Sequence, residues 1–324
     1  MEPLHLNGID QPLTPFVLGT MTFGDNADIK AAGEMLELFL DAGGNGIDTA
    51  NGYSGGRSES MLADLLRGRR EQVVLATKVG IPHHDAAGAP PLSIDGIRRC
   101  VTASLHRLGT DHVDVLYLHQ PDRATPIAQT LTAIQELLYT GLIRAWGVSN
   151  YAAWQIAELR HAAPGHGVPD PVVAQQVYNV VATRIDDEYA EYAHIIGLPT
   201  VVYNPLAGGL LTGKHADHAP DTGRFGATRL GAMYRDRYWN DTVLDAVADL
   251  KKIADQAGLP IAELALRWAI GRPAVNAVLI GGSRPQNIRA NITALANGPL
   301  PVDLADAVSA ITAKVRGPMP NYNR

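Results

Sequence analysis

Eight short apolar runs, at residues 16–18, 46–48, 73–76, 113–118, 145–148, 172–174, 200–203 and 277–280, are spread along this chain of 324 residues. Runs this short and this continuously apolar suit strands buried on both faces, as in a parallel sheet covered by helices. Between them lie stretches with helical spacing, at residues 29–40, 58–66, 93–108, 126–139, 152–160, 187–196 and 284–295. Ser93 is placed to cap the third stretch, and Pro126 to open the fourth at its first helical position. Gly43, Gly68, Gly109, Gly141 and Gly197 stand where helices want a left-handed terminal residue. Eight strand-then-helix units predict a (β/α)8 TIM barrel, as one domain over residues 1–324. A doubly wound open sheet is the competitor, but no G-x-G-x-x-G follows the first run. Residues 4–14, with Asn7-Gly8 at the turn, predict an N-terminal β-hairpin plugging the barrel bottom. Two stretches break the alternation: a long loop after strand 7, over residues 207–238, and extra helices over residues 244–270 and 304–315.

Composition narrows the function classes. Hydrophobic residues are 46% and charged residues 19%, as expected of a folded globule and not of a disordered chain. The net charge of −6 argues against a dedicated nucleic-acid binder and leaves the oligomeric state open. A single cysteine, Cys100, rules out an intramolecular disulfide or a multi-cysteine metal site and reads as a buried helix residue. No stretch approaches about 18 uninterrupted apolar residues, and the N-terminus lacks a basic segment followed by an apolar core. The expectation is a cytoplasmic protein with no membrane partner.

In a (β/α)8 enzyme the chemistry gathers where strands end. Asp48 closes the second run, with Tyr53 five residues on; Lys78 follows the third and His119 the fourth. Ser149 and Asn150 follow the fifth run and Gln175 the sixth, Tyr203 ends the seventh, and Gly281-Gly282-Ser283 follow the eighth. Asp114, in the middle of a run, reads as a structural polar residue. A lysine ammonium near a tyrosine stabilises the phenolate and lowers the barrier to giving up its proton. An aspartate keeps that lysine charged and aimed, and a histidine can hydrogen-bond the same substrate oxygen. Such a set polarises and protonates a carbonyl oxygen but supplies no electrons, so a reductant must bind nearby.

The segments GIDTANGYSGGRSE, VVLATKVG, DVLYLHQPD, RAWGVSN, YNPLAGGLLTGK and LIGGSRPQNIRAN together resemble the aldo-keto reductase superfamily. GRF followed by YRDRYW, with PNYNR at the C-terminus, resembles its aflatoxin aldehyde reductase branch. The resemblance implies a barrel that binds NADPH, or less favourably NADH, and reduces a small aldehyde or ketone. Its catalytic four would be Asp48, Tyr53, Lys78 and His119. Tyr203 would stack on the nicotinamide, and Ser149, Asn150 and Gln175 would bond its carboxamide. Leu206, Gly208 and Lys214 would line the pyrophosphate, with Arg224 among the arginines that could cover it. Gly281, Ser283, Arg284, Asn287 and Asn291 would hold the adenosine end, Arg284 being suited to a 2′-phosphate. Thr20, Met21, Asn204 and Pro205 complete the cofactor set. Some members of the superfamily partner membrane channels, so a cofactor-sensing module with little turnover is the alternative.

Other motifs carry less. Gly208-x-x-x-x-Gly213-Lys214 lacks a residue of a phosphate-binding loop of the Walker type and is followed by His215. His215, Asp217, His218 and Asp221 have metal-like composition without helical phasing, and read as solvated loop. A metal-dependent hydrolase using Asp48, His119 and that loop is the third function class. His83-His84 reads as surface and Trp268 as core; Tyr238 and Trp239 could be packing or substrate wall.

Overall fold

The eight runs form parallel strands that close on themselves. The structure, a computed structural model, describes residues 2–213, 223–226 and 229–317. In chain order the elements are β1 (Phe16–Gly19), α1 (Ile29–Asp41), β2 (Gly46–Asp48), α2 (Arg57–Leu65), β3 (Val74–Val79), α3 (Ile94–Leu108), β4 (Val113–Leu118) and α4 (Ile127–Tyr139). They continue with β5 (Ile143–Ser149), α5 (Ala153–Ala162), β6 (Ala174–Val177), α6 (Tyr189–Ile195), β7 (Thr200–Tyr203), α7 (Arg229–Tyr238), α8 (Asp241–Gln256), α9 (Ile261–Ile270), β8 (Ala277–Ile280), α10 (Pro285–Ala296) and α11 (Val302–Arg316). Each strand pairs with the next, and β8 returns to β1 with Val17 opposite Leu279, which removes the exposed edge of an open sheet.

The helices follow from local chemistry. In α3 the Ser93 hydroxyl accepts the Gly96 amide at 3.1 Å and satisfies one orphan donor of the first turn. Ile97, Cys100, Val101, Leu105 and Leu108 repeat at helical spacing and are buried against the barrel. Gly109 then turns left-handed at φ 62° and ends the helix. Burying a Leu or Ile side chain in this way contributes roughly 1.5–3 kcal/mol.

Strand alternation divides the core in two. Val17, Val74, Ala76, Val115, Tyr117, Val173, Val201 and Ala277 meet inside the barrel. Their neighbours Leu18, Leu75, Leu116, Trp146, Ala174, Val202 and Val278 face the helices. Because a strand's side chains alternate with period two, the inward set continues to Asp48, Lys78, His119, Ser149, Gln175 and Tyr203 at the C-terminal mouth.

The structure departs from the sequence reading in five places. Residues 4–14 pair only through Leu4 and Leu13, which exchange two backbone hydrogen bonds of 2.8 Å, so the expected hairpin is a single bridge. Leu6 and Leu13 nevertheless join the interior cluster and plug its base. The stretch expected as a loop from 207 to 238 contains a short 3₁₀ turn, Ala207–Thr212, and the helix α7. The helix expected over 244–270 is two helices, parted at Gly258-Leu259-Pro260, where Gly258 is left-handed and proline cannot extend the preceding turn. The sixth strand begins at Ala174, later than its apolar run, although Val172 already pairs with Trp146 through a 2.9 Å backbone bond. Pro126 caps α4 and Ile127 is its first residue. Among the described residues no helix is long and apolar enough to cross a membrane.

Candidate active site

Four residues read from the strand exits converge at the mouth. Lys78, fully buried on β3, donates a short charge-assisted hydrogen bond to Asp48 Oδ1 of β2. The same Nζ donates to the Thr49 carbonyl at 2.9 Å and lies 3.3 Å from the Tyr53 hydroxyl. It also stands 5.0 Å from the centre of the Tyr53 ring. His119, at the exit of β4, meets Tyr53 edge-on with ring centres 6.1 Å apart.

The charges are set by burial and by each other. Burial opposes charging of Lys78, but Asp48 and Tyr53 outweigh it and raise the lysine's pKa. Burial raises the Tyr53 pKa more strongly than the ammonium lowers it, so the phenol is held protonated at neutral pH. For His119, burial and then the Lys78 charge push the pKa down to about 3, which leaves a neutral imidazole. Among the described residues its buried Nδ1 has no hydrogen-bond partner.

The expected cofactor set lies on the other arc of the rim, from β5 through β8 to β1. Asn150, left-handed at φ 63°, donates to the His119 carbonyl at 2.9 Å and to Ser149 Oγ at 3.1 Å. The Tyr203 hydroxyl donates to Asn150 Oδ1 at 2.7 Å. Asn291 donates to the Gly281 carbonyl at 3.3 Å, and Thr22 donates to the Gly282 carbonyl at 2.6 Å. A Cβ on Gly282 would come within 2.6 Å of Asn287 Cβ, so the backbone folds tightly there. Ser283 is half-buried, and Arg284 is exposed with no acidic partner among the described residues. Arg224 stacks over the Tyr234 ring at 5.6 Å. Pro205 is buried, and Met21, Leu206 and Gly208 are half-buried beside this arc. Lys214, the residues of the His215 loop and the C-terminal PNYNR lie outside the described residues.

Several side chains have partners that spacing does not reveal. Gln175 Nε2 donates to Asp48 Oδ2 at 2.8 Å, so Asp48 is gripped from β3 and β6 together. Tyr117, buried beneath, brings its ring to 5.9 Å from Lys78 Nζ. The Thr20 hydroxyl donates to the Asp48 carbonyl at 3.0 Å and meets Ser58 Oγ at 2.8 Å, so it ties strand exits together. Asn204 spends both ends of its amide internally, on Tyr238 Oη at 2.7 Å and the Gly208 amide at 2.6 Å. Tyr238 is therefore packing, buried beside Tyr234, and burial pushes its pKa up to about 12. Trp268 is core, stacked on Tyr178 at 5.6 Å. Cys100 is buried on α3 with its thiol pushed up to about 11. Asp114 is structural: it pairs with Arg70 at 2.9 Å and accepts the Leu75 amide at 2.7 Å.

Among the described residues, His83, His84 and Asp85 bring three donor atoms within 4.8 Å of one another. Both Asp85 oxygens are already held by the Arg107 guanidinium, at 3.2 and 2.7 Å, so that carboxylate serves an ion pair. His83 is mostly buried against Asp85, contrary to its surface reading; His84 is exposed.

The sequence matches the model of the Aldo/keto reductase family over residues 15–313. It is 35% identical to human aflatoxin B1 aldehyde reductase member 2, over 97% of this chain and 90% of that protein. It is 34% identical to human aldo-keto reductase family 7 member A3, over 95% of this chain and 96% of that one. A probable voltage-gated potassium channel subunit beta of Arabidopsis thaliana is also 35% identical, over 92% of each. With the closed parallel barrel and the polar cluster at its mouth, these matches establish that the chain belongs to the aldo/keto reductase family, oxidoreductases that act on carbonyl groups.

Proposed function

We infer that this protein reduces an aldehyde or ketone to an alcohol with NADPH, Tyr53 giving the proton. The observation that carries the reading is one buried ammonium, Lys78, shared between the Tyr53 hydroxyl and Asp48 at the mouth of the barrel. Tyr53 is held protonated by burial, as a proton donor must be. As its proton leaves, the ammonium 3.3 Å away stabilises the oxygen that becomes negative. Asp48 and the Thr49 carbonyl hold Lys78 charged and aimed. His119 is neutral, and among the described residues its buried Nδ1 has no acceptor to serve. An orphaned buried N–H is the costlier arrangement, so the proton is assigned to Nε2, from which the ring donates to a substrate carbonyl.

The rim from β5 to β1 fits a nicotinamide dinucleotide: an aromatic face, hydroxyl and amide side chains, tight glycine turns and an arginine with no acidic partner among the described residues. When bound, that group supplies the hydride. Tyr203 would support the ring, and Ser149, Asn150 and Gln175 the carboxamide. Pro205, Leu206, Gly208, Lys214 and Arg224 would border the pyrophosphate. Gly281, Ser283, Arg284, Asn287 and Asn291 would take the adenosine end, with Thr20, Met21 and Asn204 shaping the walls. Arg284 favours a 2′-phosphate over a free hydroxyl, because a guanidinium fork matches phosphate oxygens.

Tryptophan fluorescence titrated with NADPH and NADH at matched ionic strength, followed by NADPH consumption over a panel of aldehydes and ketones, tests this. The expected result is tighter binding of NADPH and turnover of at least one carbonyl class. The potassium-channel relative supports a second reading, a cofactor-sensing module, and tight NADPH binding with no consumption across the panel would decide for it.

A further inference from the structure

A buried ionic network lies on the far side of the β3 wall from Lys78, and the proton-transfer chemistry makes no use of it. Glu59 of α2 is fully buried. Its Oε1 accepts from the Thr77 hydroxyl at 2.7 Å, and its Oε2 from Arg107 Nε at 2.7 Å. Thr77 is the residue before Lys78 on β3. Arg107, in the last turn of α3, spends its other nitrogens on Asp85. The turn that carries Tyr53, Tyr53–Gly56, rests on the same guanidinium: a Cβ on Gly56 would lie 2.8 Å from both Arg107 Cδ and Nε. Gly56 sits there at φ 90°, a conformation that glycine takes without strain.

We propose that Arg107 and Glu59 are positioning residues that set the distance between the Tyr53 hydroxyl and the Lys78 ammonium. Glu59 holds the strand that carries the lysine, Arg107 is the floor beneath the turn that carries the tyrosine, and the ion pair between them locks the two together. Neither residue touches a reacting atom. The proposal rests on the proton-donor reading of Tyr53.

Arg107→Lys keeps the charge and loses the planar floor and the fork on Asp85. A shift of about 1 Å in the Tyr53 hydroxyl can cost about 100-fold in rate. The expected result is a fall in kcat of that order, with NADPH affinity and carbonyl KM near parental. Two further readouts separate positioning from mere support of the fold. The alkaline limb of the kcat–pH profile moves upward, because a phenol farther from the ammonium ionises later, and the solvent deuterium isotope effect grows as proton transfer becomes more limiting. Loss of folded protein alone lowers kcat and moves neither. Gly56→Ala perturbs the same contact from the turn side without changing a charge, so it carries the test if Arg107→Lys does not fold. Asp170→Asn, which breaks the exposed Arg160 pair at the opposite end of the barrel, is the control and should leave kcat unchanged. Parental kcat and an unmoved alkaline limb in whichever variant folds overturn the proposal. If Tyr53→Phe turns over at the parental rate, the underlying reading is what has failed.

Discussion

Replacing Tyr53 by Phe should separate catalysis from stability cleanly, because among the described residues the hydroxyl has one partner, while the ring keeps its contacts with His119 and Lys78. The hydroxyl meets Lys78 Nζ at 3.3 Å, a long contact, and a hydrogen bond contributes only about 0.5–1.5 kcal/mol net to folding. Lys78 keeps Asp48 and the Thr49 carbonyl, so it is not left bare. The phenyl ring keeps its edge-on contact with His119 and its place 5.0 Å from the ammonium. Stability should therefore fall by no more than about 1.5 kcal/mol. Loss of a positioned general acid costs about 100- to 10,000-fold in rate, or roughly 2.7–5.4 kcal/mol of barrier. The assay pairs single-turnover rates of carbonyl reduction with urea unfolding and an NADPH titration on the same preparation. Parental turnover would refute the proton-donor role. A rate loss matched by an equal loss of stability or of cofactor affinity would refute the argument that the hydroxyl acts on the transition state alone.

Three further outcomes follow from named contacts. Lys78→Met strips the buried Asp48 carboxylate of its cationic partner and should cost about 3–5 kcal/mol in urea unfolding; a loss no larger than the 0–1 kcal/mol typical of an exposed pair such as Lys251–Asp255 would contradict the burial argument. His119 has a folded-state pKa pushed down to about 3. Its free value is about 6.5, so the stability this group contributes is complete above that pH and drains away as pH falls toward the folded value. His119→Asn should flatten the loss of stability between about pH 6 and pH 4, and parallel curves for parent and variant would count against a neutral, buried imidazole. Gly208→Ala places a Cβ 2.6 Å from the Tyr234 ring at φ 70° and should destabilise by about 1–3 kcal/mol in thermal or urea melts; a neutral result would mean that α7 does not press on this turn.

The barrel was readable because its strands are buried on both faces, which writes each of them as an uninterrupted apolar run. The polar residues at strand exits were readable for the complementary reason: Asp48, Lys78 and Gln175 interrupt that pattern where the inner wall meets the mouth. What escaped was whatever depends on a partner distant in sequence. Gln175 reaches Asp48 across 127 positions, and no local pattern reports it. Glu59 and Arg107 stand 48 positions apart, and only the fold brings their charges together. Helix α7 was hidden by its arginines and by Gly231; the buried pair Tyr234 and Tyr238, four residues apart, was the signal that could have found it. At the N-terminus Asn-Gly specifies a turn, but the flanking residues pack into the barrel base as single side chains and leave only Leu4 and Leu13 to pair, so no full hairpin forms.

The division of each strand into an inward and an outward row has a consequence for how such a chain can vary. A point exchange at the rim alters one side chain and leaves the wall standing, so new chemistry is reached by small edits. A one-residue insertion within β3 is different in kind: it would carry Lys78 to the helix side and bring Thr77 or Val79 into the lumen, scrambling reactivity and packing at one stroke. Length changes are therefore confined to the connections between elements, and the strands behave as a fixed reading frame.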